Sequence, residues 1–457
     1  MIIKLIGMKN FLQAATGLLL LIGLQARAQD IPNEYVTTAL ENNLVLKEKK
    51  LSLEKSLVAL KEARTLFLPT TWFEAQYTLA QGGRSIDLPV GDLLNPVYKS
   101  LNQLTGSNNF PTISNVSEQL LPNNFYDVRL KTTVPLINPA LRINKDIRHQ
   151  QTLLQQNEVD IYKRTLIKEV KQAYYNYLVS GNAVAIYQSA LEIVNHNLKV
   201  NESLLKNGKG LPAYVSRAAS EVKQVTAQLQ NALNEQRNAR AYFNFLLNRP
   251  LTDSIITIEP ILDENKLPLL STADNIHARE ELKSLDIARN INQDMLKMDR
   301  SFRTPRLNAF LDLASQGYDF KVNNKSLFYL GGLQLQVPIF TGKRNLYKIE
   351  QTTLEGEAIR TNAAHVRQQL ELAAFVSHNS IITAYNNYQA SVKQHEAAVN
   401  YFKLIDRGFK EGVNSFIEFL DARNQLTTAG LQAVINKYKV FNALADYERQ
   451  TASYSFK

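Results

Sequence analysis

The chain has 457 residues, with 52 Lys and Arg against 42 Asp and Glu, six histidines and no cysteine. The missing cysteine excludes disulfides, thiolate metal sites and a lipidated N-terminal Cys, and His149, His196, His277, His365, His378 and His395 are scattered without metal-ligand spacing. The net charge of +10 is distributed along helices that mix both signs, with no basic stretch carrying interleaved aromatics, so nucleic acid is not an expected partner.

Residues 1–28 have the form of a secretory signal. Lys4 and Lys9 precede an apolar stretch from Ala14 to Leu24, and Ala26-Arg27-Ala28 supplies small residues for cleavage before Gln29. That stretch is shorter than the roughly 20 residues of a membrane helix, and no later apolar run reaches that length. If this chain spans a membrane, strands must do it.

The first half, residues 29–250, opens with helix and then a strand expected at about 70–82. There Phe73, Ala75, Tyr77 and Leu79 alternate with Glu74, Gln76 and Thr78. Residues 83–124, punctuated by Asn108-Asn109 and Pro122-Asn123-Asn124 after Gly82-Gly83, read as a long loop outside the cell. A second strand, about 125–137, puts Asp127, Arg129 and Lys131 on one face and ends at Val134-Pro135-Leu136. A long helix follows at about 140–207. Asn138-Pro139 starts it, an apolar stripe runs through Val170, Tyr174, Val184, Leu191, Val194 and Leu205, and Gly208 stops it after Lys206. At 1.5 Å per residue such a helix is roughly 100 Å long. A further helix is expected at about 211–248.

Residues 251–274 form an irregular connector holding Pro260 and Pro268, with a short apolar strand expected at Ile255 to Ile258. The second half, 275–457, then repeats the order of the first about 204 residues later, as two copies of one large unit do. Strands are expected at about 305–316 and 326–338. Val337-Pro338-Ile339 leads to a long helix at about 342–410, with Thr341 as its cap and Gly412 as its stop, and a last helix covers about 415–453.

The strands have the length a tilted membrane strand needs, although a soluble hairpin with one wet face fits the alternation equally well. Four strands cannot close a barrel, since the smallest single-chain membrane barrels use about eight, and open strand edges cannot face lipid. Strands that cross a bilayer must therefore be pooled from several copies, with the helical rods assembled alongside.

The stretch from Phe409 through Gly412 to Glu418-Phe419-Leu420-Asp421-Ala422-Arg423 resembles the TolC-like outer-membrane efflux proteins: an aromatic, a turn glycine, then a helix with an acidic-x-x-acidic-Ala pattern. Leu205 to Ala218 is a weaker first-half copy. The resemblance implies a mainly α fold with a membrane β-barrel portion. A homotrimer forms a twelve-stranded barrel in the outer membrane, in contact with lipid, and continues it into the periplasm as a twelve-helix α-barrel, each chain being an internal duplication of helix-strand-strand-long helix-helix. It also implies the exit duct of a tripartite efflux or type I secretion system. Its partners are a periplasmic adaptor and an inner-membrane pump of the RND, ABC or MFS type, with no cofactor and no reaction.

Carried over residue by residue, the family's periplasmic entrance acids fall on Glu418 and Asp421, one helical turn apart. Three copies set six carboxylates around a narrow mouth, which favours cations. Ser415-x-x-Glu418 is equally a capping box, and Asp421 suits the helix dipole. Gly208 and Gly412 mark the tip turns, and Pro135 and Pro338 the strand-to-helix junctions. Phe409, Asn414 and Tyr214 stand where the family often has a tyrosine, an arginine and an aspartate that latch the tip. Arg217, at the first-half equivalent of Asp421, is expected to pair with Asp421 or Glu418 instead. The competing class is a periplasmic coiled-coil adaptor or scaffold, which uses one hairpin flanked by β-rich modules. An enzyme lacks any nucleophile and base in a converging pattern. The cargo is not legible.

Overall fold

A computed structural model describes residues 31–262 and 276–454. The signal-like residues 1–28 and the last part of the connector, 263–274, lie outside the described residues. The chain divides into two compact units. One comprises residues up to Ser56, Gln150–Asn290 and Gly356 onward; the other comprises Leu57–His149 and Ile291–Glu355.

The second of these units holds the strands. β1 (Thr70–Thr78), β4 (Phe125–Ile137), β5 (Arg306–Tyr318) and β6 (Leu327–Gln336) form one antiparallel sheet in the order β1-β4-β5-β6. Trp72 lies opposite Lys131, Lys131 opposite Asp312, and Asp312 opposite Leu330. Because side chains alternate along each strand, this register puts Glu74, Gln76, Asp127, Arg129, Lys131, Asp312 and Gln334 on one face, with Trp72, Phe310, Phe328 and Leu330 among them. Phe73, Ala75, Val128, Leu130, Leu311, Leu313, Tyr329 and Leu333 occupy the other. The β4–β5 register shifts between Pro135 and Ile137, where proline supplies no N–H to the ladder. β1 ends at Thr78, short of the expected 82, because Gly82 and Gly83 turn the chain with φ of 80° and 96° and the Ala80 N–H donates to the Asn123 side chain at 3.0 Å. Gly317 leaves room for the Tyr126 ring, since a Cβ there would lie 3.1 Å from it.

Residues 83–124 differ from the expected open loop. β2 (Ser85–Leu88) pairs with β3 (Val116–Gln119), and between them runs a helix, α3 (Val90–Thr105). Val90, Leu93, Leu94, Val97, Leu101 and Leu104 carry a helical period that the flanking Gly and Asn signals obscured.

In the helical unit α1 (Ile31–Asn42) and the start of α2 (Leu44–Thr65) pack with α4 (Pro139–Lys206), α5 (Pro212–Leu246) and α8 (Phe416–Thr451). The core joins Tyr35, Val36, Leu166, Val170, Tyr174, Phe243, Leu246, Tyr438 and Phe441. Ile255–Ile258 is not a strand. Its N–H groups go to tyrosines instead: Ile256 donates to the Tyr35 hydroxyl at 2.9 Å and Ile258 to the Tyr174 hydroxyl at 3.0 Å, so no strand partner is needed. At the start of α6 (Glu280–Arg300), Glu280 accepts two bonds from Arg164, and Glu281 sits between Arg279 and Arg449 at 2.9 and 2.7 Å.

α7 (Arg344–Lys410) starts two residues later than expected, because Gly342 and Lys343 both have left-handed φ, 62° and 64°. Among the described residues no helix is long and apolar enough to cross a membrane.

Candidate functional site

Two turns close the long helices. After α4, Gly208 takes φ +69°, and the N–H groups of Gly208 and Lys209 return to Leu205 and Leu204 at 3.0 and 2.9 Å. Any Cβ at Gly210 would lie 2.8 Å from the Leu205 nitrogen, and Pro212 then occupies the first turn of α5, where its missing N–H costs nothing. After α7, Gly412 takes φ +78° and Val413 N–H returns to Gly408 at 2.8 Å. Gly408 has a second role. Asn414 folds its amide over it, and a Cβ there would stand 1.9 Å from the Asn414 oxygen.

Ser415 and Glu418 form a complete capping box. The Glu418 N–H donates to the Ser415 hydroxyl at 3.2 Å, while the Ser415 N–H and hydroxyl donate to the Glu418 carboxylate at 2.6 and 2.9 Å. The backbone N–H of Ser415, then its hydroxyl and the Asn414 amide, hold this carboxyl below the usual carboxylate range. Asp421, three residues on and exposed, accepts from Gln425 at 2.7 Å.

Beneath these acids lies an aromatic cluster. Phe416, Phe419 and Leu420 are buried with Ala218, and Tyr214, Phe402 and Phe409 pack against them. Tyr214 meets Phe416 at 5.3 Å between ring centroids and Phe409 meets Phe419 at 5.1 Å. Tyr214, beside the first turn, thus joins the second turn by packing on Phe416, with no charge involved.

The charged link between the turns is one that sequence reasoning missed. Arg423 donates to Glu221 at 2.6 Å, and both side chains are only 3% exposed. Arg217 holds the other oxygen of the same carboxylate at 2.7 Å. Within the protomer, therefore, Arg217 bonds to Glu221, one turn along its own helix, while Glu418 and Asp421 keep local partners. The i, i+4 spacing of Arg217 and Glu221 was the available signal; nothing local marks Arg423 as their third member. The arrangement offers two exposed carboxylates at a helix start, braced by an ion pair and an aromatic layer.

Residues 276–448 match the family model of outer membrane efflux proteins. No curated protein matches the chain by sequence. Among solved structures, the chain is similar to a membrane protein from Pseudomonas aeruginosa at 16% identity and a TM-score of 0.74, covering 93% of this chain and 94% of that one. It is similar to the CmeC outer membrane channel of Campylobacter jejuni at 14% identity and 0.72, covering 92% and 85%. It is also similar to the open state of the MtrE outer membrane channel of Neisseria gonorrhoeae at 17% identity and 0.71, covering 92% and 88%. At such low identities the structural matches establish the fold.

Proposed function

We infer that the whole chain, and not only residues 276–448, is an outer membrane efflux protein: one protomer of an outer-membrane exit duct that receives substrate from a periplasmic adaptor and an inner-membrane pump. The observation that carries this reading is the sheet. One face gathers all the charged side chains of its four strands and the other carries none, and among the described residues the outer edges of β1 and β6 are unpaired in the protomer. Open edges are intolerable in lipid. Joining β6 of one copy to β1 of the next removes every edge, and a homotrimer then makes a closed barrel of twelve strands, within the range of known membrane barrels. The charged face lines the lumen and the uncharged face meets outer-membrane lipid.

In this reading the helical unit extends into the periplasm, with the turns at Gly208 and Gly412 at its entrance. Glu418 and Asp421 from three copies form the entrance acids, and Pro135 and Pro338 mark the passage from strand to helix. Arg217 is 62% exposed on its side chain even while bonded to Glu221, so it retains donors for an acid of a neighbouring copy. The duct binds no cofactor and breaks no bond. The pump, of RND, ABC or MFS type, supplies the energy.

Purified from outer membranes, the protein is expected to run as a trimer until heated and to give discrete, cation-selective conductance steps in planar bilayers. A stable monomer without conductance overturns the reading. Arg217→Ala is expected to raise single-channel conductance, and unchanged conductance rules out its part in closing the mouth.

A further inference from the structure

One face of α3 is used internally, and an adjoining apolar face is largely exposed. Gly91, Asn95, Tyr98 and Asn102 share one face. The Asn95 amide donates to the Ile113 carbonyl and accepts from the Ile113 N–H, both at 2.9 Å, and Asn102 does the same with Phe110 at 2.9 and 3.1 Å. Each asparagine thereby acts as a backbone partner for the returning chain. Gly91 allows the close approach, since a Cβ there would lie 2.6 Å from the Ile113 oxygen, and Tyr98 packs on Phe110 at 5.7 Å. The helix and the returning segment form a closed module.

The adjoining face carries Val90, Leu93, Leu94, Val97, Leu101 and Leu104 with no charge among them. Leu93, Val97 and Leu104 are 69%, 51% and 82% exposed. Asp92, Lys99 and Gln103 lie on the side of the helix turned away from the stripe. An uncharged stripe running the length of a helix of about 24 Å exceeds the scattered apolar exposure of an ordinary surface.

Its place in the chain narrows what covers it. α3 is inserted between β1 and β4 and hangs from Thr78 and Phe125, the strand ends remote in sequence from the long helices. That end of the sheet is ringed by aromatics: Phe320 stacks between Tyr77 at 4.7 Å and Tyr126 at 5.8 Å, and Phe125 meets Tyr318. Aromatic belts mark the headgroup level of a membrane barrel. Apolar exposure also continues from the sheet toward the helix through Leu79 and the Leu88–Val116 pair of the β2–β3 ribbon.

We propose that α3 lies flat in the outer leaflet of the membrane its strands span, its leucine stripe among acyl chains and Asp92, Lys99 and Gln103 toward water, as interfacial helices do. The proposal rests on the barrel reading above. The apolar surface that continues from the sheet through Leu79 favours lipid over a second copy of the chain.

The absence of cysteine makes single labels clean. Leu93→Cys, Val97→Cys and Leu104→Cys, each carrying bimane, are compared in proteoliposomes with Lys99→Cys on the far side of the helix and Leu333→Cys on the uncharged face of the sheet. All five side chains are exposed, so none supports the fold. Doxyl-labelled phosphatidylcholine is expected to quench labels at 93, 97 and 104, while aqueous iodide quenches the label at 99. Quenching by iodide in place of lipid at 93, 97 and 104, with Leu333→Cys still quenched by lipid, overturns the inference and leaves the duct standing. So does protection from both quenchers together with spin-label broadening between copies, which would mean that the stripe packs on a second copy. A label at 333 untouched by lipid overturns the barrel reading and this inference with it.

Discussion

Glu221 and Arg423 meet at 2.6 Å across 202 residues of sequence, each with a side chain only 3% exposed. They tie α5, which follows the first turn, to α8, which follows the second. A buried charge is tolerated only when paired, and here the pair is supplemented by Arg217 on the carboxylate's second oxygen. The Nε of Arg423, by contrast, is buried without a protein partner.

Removing one member should therefore cost more than removing both. Glu221→Gln or Arg423→Met is expected to destabilise the helical unit by about 3–5 kcal/mol, and a double replacement by leucine to recover most of that. Thermal loss of the far-UV circular dichroism signal measures it; additive effects would mean that the two residues are not coupled.

Glu281 gives a pH dependence with a defined sign. Burial disfavours its charge, but hydrogen bonds and charge from Arg279 and Arg449 outweigh burial and lower its pKa from 4.5 to about 2. A carboxyl with a depressed folded pKa contributes stability that is complete above its unfolded pKa and is lost as pH falls through the folded value. Between pH 4.5 and 2, then, the melting temperature of the native chain should approach that of Glu281→Gln. A constant gap between the two would refute the assignment.

Tyr174 is fully buried, and its hydroxyl accepts from the Ile258 N–H while lying 3.2 Å from the Ile256 carbonyl. Tyr174→Phe preserves the packing and strands that N–H. A loss of about 1–3 kcal/mol is expected, along with faster amide exchange at Ile258 than at Ile256, whose N–H still has Tyr35.

If Glu418 lines the mouth of the proposed duct, the bonds from Ser415 and Asn414 that depress its pKa should keep that mouth charged below the usual carboxylate range. Potassium over chloride selectivity in planar bilayers is expected to survive acidification further in the native protein than in Ser415→Ala, and to fall at neutral pH in Glu418→Gln with Asp421→Asn. Selectivity unaffected by the double change would leave the capping box as the only role of Glu418.

What the amino-acid order determined by itself was whatever depends on neighbours along the chain. The two-residue alternation of β4 is visible because successive side chains of a strand must face opposite ways, and the ends of α4 and α7 are visible because glycine alone enters the left-handed region freely. Ser415-x-x-Glu418 belongs with these, a bond closed within one turn. Residues 83–124 show the limit. Gly and Asn read locally as a loop, yet Asn95 and Asn102 spend their amides on backbone 18 and 8 residues further on, which only the folded segment reveals. The Glu221–Arg423 pair and the tyrosines that take the place of a strand beside Ile256 and Ile258 were decided by tertiary structure alone. Each consists of a polar or steric match between groups that chain order separates, and burial makes that match obligatory only once the helices have packed.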